Sequence, residues 1–249
     1  MIILKSPEEI AKIEKAGRIV AEVLAVLRER VASGVTTADL DRIAEEAILR
    51  RGGRPAFKGY RGFPATLCAS INEEVVHGIP SGRALCEGDI IGLDLGAIVE
   101  GYYGDAAVTV AVGKVSPDAE RLIRVTEESL YRGIDQIKNG NRLSDISHAV
   151  QAHAESAGFS VVRDFVGHGI GQSLHEEPQV PNFGDAGQGP RLKPGMVLAI
   201  EPMINLGNED VRVLGDRWTA VTVDGKLSAH FEHTVALTER GAVILTAAM

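Results

Sequence analysis

Apolar positions recur at helical spacing near the start of the chain. Ile10, Ile13, Val20, Leu24 and Leu27 share one face, and Lys12, Lys15, Arg18 and Glu22 fall largely between them. That is the pattern of an amphipathic helix. Ser6-Pro7-Glu8-Glu9 predicts where it starts, as a capping box with Pro at the first helical position and acids near the positive end of the helix dipole. Gly34 interrupts the period. A second helix is expected from Thr36 or Thr37, with Leu40, Ile43, Ala47 and Ile48 as its buried stripe, ending at Gly52-Gly53. Two more helices are expected, one from Ser116-Pro117 to about Lys138 and one from near Ser144 to just before Gly158.

Between the helix pairs the apolar runs take on the character of strands. Residues 65–71 read as a strand, and 89–96 as a buried strand that finishes on Asp94. A glycine-rich turn over 100–104 leads to a strand that begins on Asp105 and runs to Val112, so the two form a hairpin. Further strands are expected over 159–162, 196–205, 218–223 and 230–237, the last two side by side. Residues 57–64, 72–80 and 182–190 hold too many turn formers for regular structure and read as loops.

A unit of this pattern is used twice. Gly34 and Gly52 bracket one helix, and Gly140 and Gly158 bracket another at the same spacing, with Asp39-Leu40 matching Asp145-Ile146. The string G-D-I-I-G-L ending on Asp94 matches G-M-V-L-A-I ending on Glu201. Two facing halves, about 1–112 and 113–249, would bring Asp94 and Glu201 together at a pseudo-twofold axis, a natural place for a ligand.

Composition narrows the function. Hydrophobic residues make up 45% and charged residues 24%, ordinary for a globular protein. A net charge of −8 argues against broad nucleic-acid binding. Two cysteines, Cys68 and Cys86, suit a reducing compartment. The N-terminus lacks the apolar core of a signal peptide, and no run of about 18 apolar residues could span a membrane. The cytoplasm is the expected location.

Seven polar residues then stand out: His77, Asp94, Asp105, His168, His175, Glu201 and Glu232. Each sits beside Gly, Pro or an apolar run. A carboxylate in such a place costs several kcal/mol unless it is paired or bound to a cation. Singly, each has a plainer explanation: Asp94 could cap a turn, Glu232 could pair with a Lys or Arg, and His77 could be a hydrogen-bonded structural residue. Cys68 and Trp218 suit a core. Together, Asp94, Asp105, His168, Glu201 and Glu232 are too many ligands for one small ion and enough for two that share them. Oxygen and imidazole donors favour Mn, Fe, Co or Zn. Two such ions about 3.5–4 Å apart would bind a water and lower its pKa, which is a hydrolase device.

These strings carry a family resemblance. S-P-E-E-I, G-Y-R-G-F-P, S-I-N-E-E-V-V-H-G-I-P, G-H-G-I-G-Q-S-L-H-E-E-P-Q-V, I-E-P-M and F-E-H-T resemble the type I methionine aminopeptidases of the bacterial short form, over nearly the whole chain. The resemblance implies the pita-bread fold, an α/β (α+β) class with a curved antiparallel sheet, helices outside it and two pseudo-symmetric halves in one catalytic domain, 1–249. It implies one ion on Asp94, Asp105 and Glu232 and another on Asp105, His168, Glu201 and Glu232. It makes His77 a substrate-binding histidine, His175 the contact to the scissile amide and the oxyanion, and Glu201 the proton carrier. Tyr60, Phe63, Cys68 and Trp218 match the methionine side-chain pocket; Leu174 stands where many relatives carry Phe, and Phe57 where some carry Cys. The implied reaction removes the N-terminal methionine of nascent proteins when the second residue is small, through a metal-bridged hydroxide. Implied partners are nascent polypeptide N-termini, with a transient ribosome contact, for a monomeric enzyme.

Neither a cysteine-rich N-terminal extension, nor the long insertion of type II enzymes, nor the N-terminal domain of prolidases is recognisable. A proline-directed peptidase of the same fold is the alternative enzyme. A non-catalytic protein-binding module is the alternative of another class, and retention of all five ligands argues against it.

Overall fold

The computed structural model describes residues 1–247. Four helices, α1 (Pro7–Arg30), α2 (Thr37–Arg50), α3 (Pro117–Ile134) and α4 (Leu143–Ser156), flank a nine-stranded sheet. Its strands are β1 (Arg54–Pro55), β2 (Leu67–Ile71), β3 (Ile90–Val99), β4 (Tyr102–Ala111), β5 (Gly167–Gly169), β6 (Glu176–Val180), β7 (Val197–Ile200), β8 (Glu232–Thr238) and β9 (Gly241–Ile244). They run in the order β1-β3-β4-β8-β7-β5-β6, with β2 also on β3 and β9 also on β8. Every pairing is antiparallel.

α1 starts where its cap dictates. Ser6 Oγ accepts from the Glu9 amide at 3.3 Å, and a Glu9 carboxylate oxygen accepts from the Ser6 amide at 2.8 Å. α2 is capped by Thr36, whose side chain accepts from the Asp39 amide. α1 and α2 bury Val20, Leu24, Leu27, Leu40 and Ile48 against Leu67, Ile91, Leu93 and Leu95 of β2 and β3. α3 and α4 bury Leu130, Ile134 and Ile146 against Leu198, Ile200, Val235 and Leu237 of β7 and β8. Each such side chain contributes roughly 1.5–3 kcal/mol on burial. The helices therefore cover one face of the sheet and leave the other free for a site. The two sets of strands join at β4 and β8, through Ala107 opposite Glu232 and Ala106 opposite His233.

Several expectations need correction. Asp94 does not finish its strand and Asp105 does not begin one. The β3–β4 ladder is continuous from Ile90 opposite Ala111 to Val99 opposite Tyr102. Only Glu100 and Gly101 form the turn, both at positive φ (51° and 82°), and such a tight turn suits the twist of a hairpin. Both acids are thus carried mid-strand. The 196–205 run breaks at Pro202, which has no N–H to continue a ladder. Met203–Asn205 instead pairs with Ser228–His230 in a separate sheet. The 230–237 run breaks likewise, between His230 and Glu232. Ala220–Thr222 does not lie beside it; its partners are Val211–Val213 and Glu74–Val76. The last of these is a strand inside the expected 72–80 loop, and a 3-10 turn, Tyr60–Gly62, lies inside the 57–64 loop. α3 stops at Ile134, short of Lys138. Among the described residues, no helix is long and apolar enough to cross a membrane.

Candidate metal centre and active site

Strand periodicity assembles the centre. Cys68 lies opposite Asp94, Asp94 opposite Ala107, and Ala107 opposite Glu232, so this row shares one face of the sheet. Asp105 is two residues from Ala107 and shares that face. On the other side, His168 lies opposite Ala199 and Ala199 opposite Thr234, two residues from Glu232. Glu201 is two residues past Ala199, just beyond the end of β7. One ligand atom each from Asp105, His168 and Glu232 lie within 4.8 Å of one another, and all three residues are buried. His168 Nε2 is 3.4 Å from Glu201 Oε1. The Nδ1 of His168 donates to the carbonyl of Gly169 at 2.9 Å, which leaves the Nε2 lone pair free for the cluster.

The electrostatics are those of a site built for cations. Among the described residues no Lys or Arg pairs with Asp94, Asp105, Glu201 or Glu232. Asp94 Oδ1, Asp105 Oδ1 and Glu232 Oε1 are shielded from solvent and have no hydrogen-bond partner. Burial pushes all four carboxyls up, Asp105 to about 7, and neighbouring acids push Asp94, Glu201 and Glu232 further. Burial pushes His168 down to about 3, so its imidazole is neutral and can act as a ligand. Three orphaned buried carboxyl oxygens and a neutral imidazole fit divalent metal, and among the described residues no basic side chain compensates for that charge.

Above this floor lies a cavity of about 140 Å³ lined by Phe57, Tyr60, Phe63, Cys68, Leu174 and Trp218. Phe63 meets Trp218 edge-on at 5.1 Å. Trp218, expected in the pocket from the family resemblance, is a wall of this cavity. Its loop is held by Asp216, whose carboxylate accepts from the amides of Trp218 and Thr219, both at 2.9 Å. His77 and His175 also line the cavity. His77 sits at φ 61° and meets Phe165 edge-on at 5.4 Å. Burial, then His175, hold its pKa down to about 4. His175 stacks on Tyr60, with the phenol oxygen 2.9 Å from its Nδ1, and lies 4.2 Å from the His168 ring. Burial, then Arg61, lower its pKa.

Thus all seven singled-out residues and all the pocket candidates converge on one place. Arg61 was missed. It lines the cavity at φ 49°, with its guanidinium 5.3 Å from the Tyr60 ring centre. A lone Arg in a glycine-rich loop carries no sequence signal of such a position. A larger groove, about 510 Å³, lies between α1 and α3 on the helix-covered face. It holds none of the four acids, because His233 alternates away from Glu232.

Comparison with known proteins agrees with this geometry. The model of metallopeptidase family M24 matches residues 11–239. Methionine aminopeptidase 1 of Bacillus subtilis is 56% identical over 246 residues, 99% of each chain. A methionine aminopeptidase of Clostridium perfringens is 55% identical over 246 residues, again 99% of each. The crystal structure of methionine aminopeptidase from Thermotoga maritima superposes with a TM-score of 0.98 at 50% identity, covering 100% of both chains. A curled antiparallel half-barrel with helices outside it and a buried Asp/His/Glu centre define a pita-bread metallopeptidase, and the chain belongs to metallopeptidase family M24. Within that family its activity is that of the methionyl aminopeptidases, metalloexopeptidases that remove the N-terminal methionine of proteins.

Proposed function

We propose that the chain is one catalytic domain that binds two divalent ions and excises the initiator methionine of nascent polypeptides when the second residue is small. The observation that carries this reading is the set of orphaned, buried carboxylate oxygens beneath a cavity walled by aromatic and thiol side chains. Asp94, Asp105 and Glu232 would hold one ion, and Asp105, His168, Glu201 and Glu232 the other, with Mn, Fe, Co or Zn all acceptable to such donors. When bound, the pair would supply a water of lowered pKa and Lewis-acid pull on the scissile carbonyl.

The chain's own residues do the rest. Phe57, Tyr60, Phe63, Cys68, Leu174 and Trp218 take the methionine side chain, whose flexible thioether packs well against aromatic rings. His77 contacts the substrate near its N-terminal end. Tyr60 donates to Nδ1 of His175, which keeps the proton on Nε2 for the carbonyl oxygen of the scissile amide as negative charge develops there. Glu201 accepts a proton at its carboxylate and delivers it to the leaving amine. The enzyme acts as a monomer in the cytoplasm, with transient contact to the ribosome at which its substrates emerge.

Peptides test the reading against proline-directed chemistry. Met-Gly-X should lose methionine rapidly, whereas X-Pro peptides without an N-terminal methionine should be left intact. Preferential cleavage of X-Pro would overturn it.

A further inference from the structure

The first residues of the chain are buried in the wrong order for their hydropathy. Ile3 and Leu4 are 54% and 50% exposed, whereas Lys5, next to them, is 7% exposed. The Lys5 ammonium lies 2.5 Å from a Glu176 carboxylate oxygen, and the two side chains are 3% and 8% exposed. It also donates to the carbonyl of Ile3 at 2.9 Å. The other Glu176 oxygen accepts from the Ser173 amide at 3.2 Å. Glu176 therefore closes the short turn that presents Leu174 and His175 to the cavity.

The neighbouring contacts serve the same turn. The Lys5 amide donates to the carbonyl of Gly195, just ahead of β7, at 2.7 Å, and Tyr103 donates to Gly171 at 2.9 Å. Gln172 donates to the Tyr102 hydroxyl at 2.8 Å, and that hydroxyl donates to Glu9 of the α1 cap at 2.9 Å. Gly171 leaves the space the pair occupies: a Cβ there would lie 2.4 Å from Lys5 Cε and 2.7 Å from Glu176 Oε1. A buried ion pair is an expensive way to hold a fold together, since apolar residues of similar volume often do as well. What it adds is a fixed direction and distance.

We propose that Lys5 and Glu176 are positioning residues, a buried clamp that holds the His175 imidazole in register with the scissile amide. This rests on the role assigned to His175 above. A displacement of about 1 Å in a reacting group can cost on the order of a hundredfold in rate. Lys5→Met should accordingly lower kcat about 10- to 100-fold, with KM changed far less and metal content unchanged.

Four variants, assayed as metal-loaded full chains well below their melting temperatures, decide the matter. His175→Ala alone should lose about 10²–10³ in kcat. Adding Lys5→Met to His175→Ala should cost almost nothing more, because there is no longer an imidazole to misplace. Lys5→Met with Glu176→Met should recover melting temperature relative to Lys5→Met alone, as apolar replacement of both partners allows, but kcat should stay low. This double variant carries the test if Lys5→Met alone does not fold. Losses that multiply with His175→Ala, or kcat that recovers along with melting temperature, would reduce the pair to a fold clamp and overturn the proposal. A small effect of His175→Ala by itself would instead overturn the role of His175 on which the proposal rests.

Discussion

Acidification from pH 7 to pH 5 should weaken divalent metal binding by about fiftyfold or more. A carboxyl must lose its proton before it can coordinate. Burial pushes the Asp105 carboxyl up to about 7, so it keeps its proton through a range in which an exposed Asp is ionised. Below pH 7 metal must displace the Asp105 proton, so each further unit of acidification weakens binding by up to about 1.4 kcal/mol at Asp105 alone, and above that pH this dependence fades. Because the carboxyl is already half protonated at pH 7, the two units give about 2.3 kcal/mol, or about fiftyfold. Asp94, Glu201 and Glu232 are raised in the same direction and steepen the dependence. His168 adds nothing to it, because its pKa of about 3 leaves it neutral throughout this range. Mn²⁺ titrated into chelator-treated protein at several pH values gives the affinities, and buffers of different ionisation enthalpy count the protons released. An affinity that stays flat from pH 5 to 7, or tightens as the pH falls, would refute the reasoning.

Other outcomes follow from the same geometry. Glu201→Gln should abolish turnover and leave the fold intact, since an amide cannot take the proton; wild-type turnover in a metal-loaded variant would remove Glu201 from its assigned role. His168→Ala should lose metal where His175→Ala keeps it, and equal losses, read by elemental analysis, would contradict the division between the two rings. Peptides beginning Met-Gly, Met-Ala or Met-Ser should be cut about 10³-fold faster than those beginning Met-Ile, about 4 kcal/mol at the transition state, a contrast within reach of a steric clash. Because residue 2 here is the β-branched Ile2, the protein should keep its own Met1; an intact mass lighter by one methionine would contradict that specificity unless another peptidase were shown to be responsible.

The sequence exposes the candidate site more fully than the paths of its strands. The alternation of Ile91, Leu93 and Leu95 with Gly92, Asp94 and Gly96 marks two different faces of β3, and period-2 reasoning needs nothing further to place the acid opposite the helices. The Ser6 cap is likewise local, and it is found where the sequence puts it. Pairing is not local. Ala220–Thr222 is too short to declare its partner, and it finds Glu74–Val76 far away in the chain. The bend at Pro202 is marked in the sequence only by one missing donor, inside an apolar run that otherwise reads as a single strand. Burial of Lys5 beneath exposed Ile3 and Leu4 contradicts every hydropathy argument. It depends on Glu176 and the space at Gly171, contacts that only the folded chain creates.

If the buried acids and His168 form the proposed metal centre, methionine release must depend on the metal they bind. The most direct measurement follows methionine release from Met-Ala-Ser by chelator-treated protein while Mn²⁺ is added back and bound metal is counted. Turnover should be absent without metal, rise with bound metal and saturate at about two ions per chain. Full methionine release by metal-free protein, or metal-saturated protein that leaves the peptide intact, would contradict that dependence.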